Sequence, residues 1–375
     1  MNDVDVLVIG AGIAGASVGW RLAGRRSVML VERELQPGLH STGRSAAMFM
    51  ESYGPAGVRA LTRASRSFYE DPAAGFTTMP LLSRRGSMYL ATHTQQALLE
   101  HTHAELSAHG GTVERMDAAA TLARVPCLRP EVVHASLYDP AAEDIDVHAL
   151  HQGFLRGVKA GGGAVWTDAE VTGARHDGTR WHVALADGRT VRAGQIVNAA
   201  GAWADVVAAL FGAVPVGLEP RRRSAFTFKA PAGVDVSAWP AVVGVDEGWY
   251  FKPDAGRLLG SPANADPTVP HDVRPEELDI ALGIDRLQTV TTLEIRRPES
   301  TWAGLRSFVR DGELVIGPDD RSPGFHWLAA QGGYGIQSAS AAGELAAALV
   351  CGEPVPERLR AHGVDAALFA PQRLH

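Results

Sequence analysis

Residues 4–32, VDVLVIGAGIAGASVGWRLAGRRSVMLVE, decide the fold of this chain. Residues 4–9 form an apolar run typical of a strand buried on both faces, and a glycine-rich turn at 10–15 ends it. Apolar residues then recur at helical spacing up to residue 22, and residues 27–31 form a second apolar run. The order strand, glycine turn, helix and strand predicts a βαβ unit.

The glycines of this turn, Gly10, Gly12 and Gly15, have the spacing of a dinucleotide-binding turn. Gly10 permits the tight turn, Gly12 lets backbone N–H groups approach a pyrophosphate, and Gly15 lets the helix pack close to its strand. The helix N-terminus adds unpaired donors and partial positive charge. Glu32 follows at the position where a carboxylate binds the adenosine ribose. We therefore predict a Rossmann-like domain that binds a dinucleotide.

The composition is that of an ordinary soluble protein. The 375 residues are 46% hydrophobic and 21% charged, and the formal net charge of -7 argues against nucleic acid as a partner. Cys127 and Cys351 lack the spacing of a zinc or iron–sulfur site, so we predict no metal. No apolar run reaches the roughly 20 residues of a membrane span. The expected location is the cytoplasm, with peripheral membrane contact left open.

Later segments continue the alternation of strands and helices. The pairs Asp177-Gly178 and Asp187-Gly188 predict a meander over 165–192, and Asp311-Gly312 predicts a further hairpin. An amphipathic helix is expected over 94–109, with its end at Gly110-Gly111. Rossmann-like pieces at the start, middle and end predict an α/β fold with discontinuous domains. The expected cofactor domain comprises 1–50, 140–220 and 300–375, and the expected α+β substrate domain, with a mixed or antiparallel sheet, comprises 51–139 and 221–299.

Five stretches together resemble one family. They are GAGIAG at 10–15 with Glu32, HSTGRSAA at 40–47, NAAGAW at 198–203, WAGLR at 302–306 and QGGYGIQ at 331–337. In this order they resemble the FAD-dependent D-amino acid oxidase-like, or glycine oxidase-like, family, and most closely its bacterial D-arginine and D-amino acid dehydrogenases. The resemblance covers essentially the whole chain. It implies a FAD-binding domain of the glutathione reductase type, non-covalent FAD and oxidative deamination of a D-amino acid.

The resemblance also implies which residues contact FAD. The glycine-rich turn before the helix predicted over 338–350 has a physical reason of its own, because it places a positive helix end beside a ring that gains negative charge on reduction. The implied FAD contacts are Gly10, Gly12, Ile13, Ala14, Gly15, Glu32, Arg33, His40, Ser41, Thr42, Gly43, Arg44, Ser45, Ala46, Ala47, Met48, Val171, Ala200, Gly201, Trp203, Gly304, Gly333, Tyr334, Gly335, Ile336 and Gln337.

For the substrate, the resemblance implies that Arg223 and Arg306 bind the carboxylate and that Tyr53 and Tyr250 line the pocket beside Gly333. Arginine suits a carboxylate because its planar fork forms two parallel hydrogen bonds and stays charged.

Three pocket positions depart from the relatives that prefer cationic D-amino acids. Those relatives carry a glutamate at the position of Ser87, and a histidine and a threonine at the positions of Met48 and Met50. A buried cation would lose its counter-charge at Ser87, and methionine makes a pocket more apolar. We therefore predict a preference for neutral apolar or aromatic D-amino acids over D-arginine. Arg84 and Arg85 suggest acidic substrates as a weaker option.

Three questions stay open at this level. The electron acceptor is either oxygen or a quinone, so the enzyme is either an oxidase or a dehydrogenase. A 2-hydroxy acid would fit the same pair of arginines, and ammonia release separates it from an amino acid. The missing histidine and glutamate also allow a flavin-binding protein without turnover.

Overall fold

The computed structural model describes residues 2–108 and 113–375, so the helix end predicted at Gly110-Gly111 lies outside the described residues. The strands are β1 (Asn2–Ile9), β2 (Val28–Val31), β3 (Met48–Phe49), β4 (Leu82–Arg84), β5 (Ser87–Thr92), β6 (Glu114–Asp117), β7 (Val133–Asp139), β8 (Glu143–Ile145), β9 (Ala164–Trp166), β10 (Val171–His176), β11 (Trp181–Leu185), β12 (Thr190–Asn198), β13 (Glu219–Lys229), β14 (Ala241–Gly244), β15 (Tyr250–Asp254), β16 (Arg257–Ser261), β17 (Asp266–Pro267), β18 (Ser300–Phe308), β19 (Val315–Pro318) and β20 (Phe325–Ala329). The α-helices are α1 (Ile13–Leu22), α2 (Ala56–Glu70), α3 (Gln96–Ala108), α4 (Ala118–Arg124), α5 (Val147–Ala160), α6 (Ala204–Leu210), α7 (Glu277–Val290), α8 (Ala339–Val350) and α9 (Glu357–Arg360).

The first large sheet is the Rossmann-like layer predicted from residues 4–32. Its parallel strands lie in the order β20, β12, β1, β2 and β9, and the antiparallel meander of β10 and β11 joins β12. Val6 and Val8 pack into the core formed with α1, α5 and α8, while Leu7 and Ile9 pack into the core on the other face. Because β1 is buried on both faces, its apolar run is continuous.

The second large sheet is mixed, as predicted. Its strands lie in the order β17, β13, β16, β15, β14, β5, β7 and β6, with β18 also paired to β13. Among the strand pairs that the described residues form in this sheet, only β14 and β5 run parallel. Phe226, Val242 and Phe251 pack with α7 in a core on one face. The other face packs in part against Leu99 of α3 and in part lines a cavity. A small third sheet joins β3, β8 and β4.

Strand β18 differs from the prediction in two ways. The hairpin expected at Asp311-Gly312 does not form, because β18 pairs with β13 while β19 pairs with β20. The turn instead connects the two large sheets. Residues 300–308 consequently lie in the second sheet, although the sequence had assigned them to the cofactor domain. The remaining division into two discontinuous domains stays a prediction.

Among the helices of the described residues, none has the length and apolar character needed to cross a bilayer.

Candidate active site

The glycine turn forms a hollow at the N-terminus of α1. Gly10 has φ +97°, and a Cβ built on it would lie 2.4 Å from the carbonyl oxygen of Ala199. A Cβ on Gly15 would lie 1.9 Å from the carbonyl oxygen of Gly10, so α1 rests directly on the turn. A Cβ on Gly12 would lie 3.2 Å from Thr42 Oγ1, and no other atom of the described residues would lie within 4 Å of it. A side chain at Gly12 would project into the space that a phosphate needs.

Glu32 holds the turn in shape from the end of β2. Its side chain is 8% exposed, and its carboxylate accepts hydrogen bonds from Ala11 N at 2.9 Å and Glu34 N at 3.1 Å. Thr42 Oγ1 accepts a hydrogen bond from Ile13 N at 3.0 Å. Glu32 therefore shapes the turn and faces the neighbouring cavity with the same carboxylate.

The loop that contains Ser41 and Arg44 is tied to strand β18. Ser41 Oγ donates a hydrogen bond to Leu305 O at 2.7 Å, and Arg44 Nη1 donates to Ala303 O at 3.1 Å and to Val273 O at 2.8 Å. Arg44 thus anchors this loop through backbone carbonyls. The loop therefore stays close to both large sheets.

Three adjoining cavities run from the glycine turn to the second sheet, and neighbours share walls. The first, of about 900 Å³, and the second, of about 950 Å³, share Gly12, Ser41, Thr42 and Gly201. The third, of about 800 Å³, shares Arg223, Tyr250, Arg306 and Gly333 with the second. These volumes include the space open to solvent. A long ligand can occupy the first two cavities, and a smaller ligand can occupy the third.

Most residues proposed from the sequence line this row. The first cavity takes Gly10, Gly12, Glu32, Arg33, His40, Ser41, Thr42, Val171, Ala200, Gly201 and Trp203. The second takes Gly12, Ile13, Ala14, Ser41, Thr42, Arg44, Ser45, Ala46, Gly201, Gly304, Gly333, Gly335 and Ile336. The third takes Ser45, Ala46, Ala47, Met48, Met50, Tyr53, Arg223, Tyr250, Arg306, Gly333 and Gln337.

Four proposed residues do not line the row, and each has another place. Gly15 lies in the first turn of α1 and packs against Gly10, and Gly43 N donates a hydrogen bond to Gly38 O at 2.8 Å. The ring of Tyr334 packs edge to face against Tyr53 at 5.0 Å. Ser87 is fully buried in β5, and its hydroxyl has no hydrogen-bond partner among the described residues. The structure therefore does not place Ser87 in contact with a substrate.

Arg223 and Arg306 come together because β13 and β18 are neighbours. Arg223 pairs with Gly304, two residues from Arg306, so both side chains lie on one face of the sheet. Arg223 Nε donates a hydrogen bond to Asn264 O at 2.6 Å. A Cβ on Gly333 would lie 2.9 Å from Arg306 Nη1, so glycine is the residue that lets the guanidinium lie against this loop.

The electrostatics of this pair favour an anion. Burial and the adjacent charge of Arg306 lower the pKa of Arg223. Burial alone would lower the pKa of Arg306, but the hydroxyls of Tyr53 and Tyr250 outweigh it, so the pKa is raised. Within residues 2–108 and 113–375, no carboxylate lies within 4 Å of either guanidinium. Two half-buried cations that have no carboxylate partner among the described residues form a site for a carboxylate ligand.

Sequence reasoning missed three polar side chains that line the third cavity, Tyr89, Glu247 and Lys252, and also Ala241, Val243 and Ala263. Tyr250 and Lys252 are two residues apart on β15, and that spacing puts both on one face of a strand. The alternation Tyr250, Phe251, Lys252 was therefore a usable signal. Glu247 lies in the turn between β14 and β15, where no local pattern pointed to a cavity.

The fold and this row of cavities are those of a dinucleotide-binding protein with a further pocket beside the cofactor site. The family model "FAD dependent oxidoreductase" matches residues 5–349 of this chain. The chain belongs to that family and is FAD dependent. The hollow at Gly12, the buried Glu32 and the first two cavities fit FAD.

The relatives that the chain resembles include enzymes acting on amines. It is 24% identical over 362 residues to the glycine oxidase of Geobacillus kaustophilus, covering 92% of each chain. A crystal structure of glycine oxidase from that organism superposes with a TM-score of 0.85 at 23% identity, covering 100% of this chain and 99% of the other. The chain is also 24% identical to bovine FAD-dependent oxidoreductase domain-containing protein 1, over 92% of this chain and 81% of the relative. It is also 28% identical over 217 residues to human mitochondrial dimethylglycine dehydrogenase. That match covers 56% of this chain and 25% of the relative.

Proposed function

We propose that this enzyme oxidises the Cα–N bond of a D-amino acid, and that it prefers neutral side chains to the cationic side chain of D-arginine. The observation that carries the proposal is the pair of adjacent arginines, Arg223 and Arg306. They line both the second and the third cavity and have no carboxylate partner among the described residues. Glycine oxidase, by its name, acts on an amino acid, which supports this substrate class. The sequence resemblance to bacterial D-amino acid dehydrogenases supports the D configuration.

The residues of the third cavity supply binding and orientation. Arg223 and Arg306 hold the substrate carboxylate, and Tyr250, which faces both cavities, fixes the position of Cα at the boundary between them. When bound, FAD supplies the two-electron acceptor for the hydride that leaves Cα. The amine proton passes to solvent directly or through the hydroxyl of Tyr53 or Tyr250. The released imino acid hydrolyses to a 2-oxo acid and ammonia.

The walls of the third cavity support a preference against cations. Met48, Met50 and Val243 provide apolar contact for a side chain. Lys252 is buried, whereas Glu247 is exposed to solvent. Water and salt screen the exposed carboxylate far more than the buried ammonium, so the charge felt inside the cavity is positive. A cationic tail is therefore disfavoured.

Anaerobic mixing of the holoenzyme with D- and L-amino acids tests the proposal. We expect D-leucine, D-methionine and D-phenylalanine to bleach the flavin absorbance with at least about tenfold higher efficiency than D-arginine or D-lysine, since each tenfold step needs only about 1.4 kcal/mol. The L enantiomers are expected to leave the flavin oxidised. Ammonia release identifies the Cα–N bond as the one oxidised.

Three outcomes contradict parts of the proposal. The highest kcat/KM with D-arginine or D-lysine would overturn the side-chain preference. Reduction by 2-hydroxy acids alone would overturn the substrate class, and a yellow protein that no amino or hydroxy acid reduces would show a binding protein. Oxygen uptake compared with dye reduction separates an oxidase from a dehydrogenase.

A further inference from the structure

Lys252 is a buried cation in the substrate cavity that the proposed chemistry does not use. It lies on β15 two residues beyond Tyr250, lines the third cavity and is 7% exposed. Its Nζ lies 2.6 Å from Asp144 Oδ1. A lysine is rarely buried unless it is paired, so its position in a cavity wall calls for an explanation.

The carboxylate of Asp144 does not fully neutralise the charge of Lys252, because it also binds Arg85. Arg85 Nε donates to Asp144 Oδ2 at 2.7 Å, and Arg85 Nη1 donates to Ser237 O at 2.7 Å. The lysine cluster, defined as Lys252, Asp144 and Arg85, thus contains two cations and one carboxylate. It carries an excess positive charge, and of its members only Lys252 lines the third cavity.

The ammonium of Lys252 has hydrogen-bonding capacity left for a ligand. An ammonium carries three donors, and Asp144 Oδ1 takes one of them. Among the described residues no other acceptor is paired with Nζ. A buried ammonium gains from every oxygen that replaces lost water. The cavity therefore presents a strong donor to an oxygen of the bound molecule.

Lys252 lines the third cavity but not the second, a position that suits the tail of a substrate whose carboxylate is held where the two cavities meet. Tyr250 lines both the second and the third cavity, while Lys252 lines only the third and lies two residues, roughly 7 Å, further along the strand. Ala241, next in register to Lys252, and Met50 provide apolar wall in the same cavity. Ser87 pairs with Ala241 across β5 and β14, but it is buried behind this wall and does not line the cavity.

We propose that Lys252 is a specificity-determining residue that binds an oxygen at the end of the substrate side chain. A tail that ends in a carboxamide or a carboxylate is then expected to bind better than a tail of the same length that ends in a methyl group, with apolar walls around the intervening methylenes. The turnover part of this inference rests on the proposed function. The binding part does not, because it needs only the arginine pair and Lys252.

Equilibrium binding tests the tail site without turnover. Isothermal titration of the holoenzyme compares glutarate, which has a carboxylate at each end, with pentanoate, which ends in a methyl group. We expect glutarate to bind at least about tenfold more tightly, as one hydrogen bond to a charged group would give. In Lys252→Met this preference is expected to fall below about threefold, since the tail loses that bond.

Lys229→Met is the matched control, because Lys229 is exposed at the end of β13 and does not line the cavities described here. It should keep the wild-type preference for glutarate. Should Lys252→Met fail to fold, the variant Lys252→Met with Asp144→Asn removes one charge of each sign and leaves Arg85 on its backbone carbonyls. Equal affinities in the wild type, or an unchanged preference in the Lys252 variants, would overturn the inference.

Anaerobic flavin reduction then separates this inference from the proposed function. D-glutamine and D-glutamate are compared with D-norleucine, whose side chain has a similar length and no oxygen. We expect Lys252→Met to lower the efficiency with one or both oxygen-bearing substrates by at least about tenfold and that with D-norleucine by less than threefold. A larger loss for D-glutamate than for D-glutamine identifies the carboxylate as the preferred tail. If glutarate binds as expected but no amino acid reduces the flavin, the tail site stands and the proposed oxidation fails.

Discussion

Arg306→Met is expected to lower kcat/KM for the best amino acid substrate by roughly 100- to 1,000-fold. Removing one partner of a buried, hydrogen-bonded charge pair costs about 2–5 kcal/mol, and each 1.4 kcal/mol is tenfold in rate. The loss is expected mainly in KM, with a smaller fall in kcat, because the carboxylate is held in both the ground state and the transition state. Steady-state kinetics with a dye acceptor measure both constants.

Arg221→Met is the control for this experiment. Arg221 pairs directly with Arg306 across β13 and β18, but its side chain contacts Glu219 and Phe308 and does not line the described cavities. Its kcat/KM should stay within about threefold of the wild type, as is usual for an exposed pair. Wild-type efficiency in Arg306→Met, with FAD fully bound, would show that Arg306 does not hold the substrate.

Gly15→Ala is expected to yield a protein that loses its FAD. The added Cβ would lie 1.9 Å from the carbonyl oxygen of Gly10, and a backbone oxygen in a tight turn has no room to retreat. Helix α1 must then move away from β1, at a cost of about 1–3 kcal/mol or more for overpacking. Because the moving helix carries the N-terminus that faces the cofactor phosphates, FAD affinity is expected to fall by roughly 100-fold or more.

The ratio of flavin to protein absorbance after desalting measures this effect, together with the melting temperature. Gly173→Ala provides the comparison, since a Cβ on Gly173 would meet nothing within 4 Å among the described residues. That variant should retain FAD like the wild type. Stoichiometric flavin in Gly15→Ala would mean that the turn tolerates the displacement.

Local patterns in the sequence predicted the local elements well. The glycine spacing of residues 10–15 and the apolar runs around it predicted the βαβ unit, and the structure confirms it as β1, α1 and β2. The turn pairs at Asp177-Gly178 and Asp187-Gly188 lie between the antiparallel strands β10, β11 and β12. In each case the signal and the structure are set by the same few neighbouring residues.

Features that depend on pairing between distant strands were not predictable in this way. Asp311-Gly312 has the residues of a hairpin turn, but the partners of β18 and β19 are chosen by the cores they enter rather than by the turn. Likewise, whether the face of β15 that carries Lys252 meets the cavity depends on how the second sheet packs in the whole fold. The pocket role that the resemblance implies for Ser87 stays a prediction, and the structure shows only that Ser87 is buried and does not line the described cavities.

The course of β18 has a thermodynamic consequence. Gly304 and Leu305 line the second cavity, and the next residue, Arg306, lines both the second and the third. One short stretch of backbone therefore takes part in two binding equilibria. Suppose that the ligand in either cavity orders this stretch of backbone. Thermodynamic linkage then requires that each ligand raise the affinity for the other by the same factor. A simple carboxylic acid should then raise the affinity for FAD, and the flavin-free protein should bind that acid more weakly.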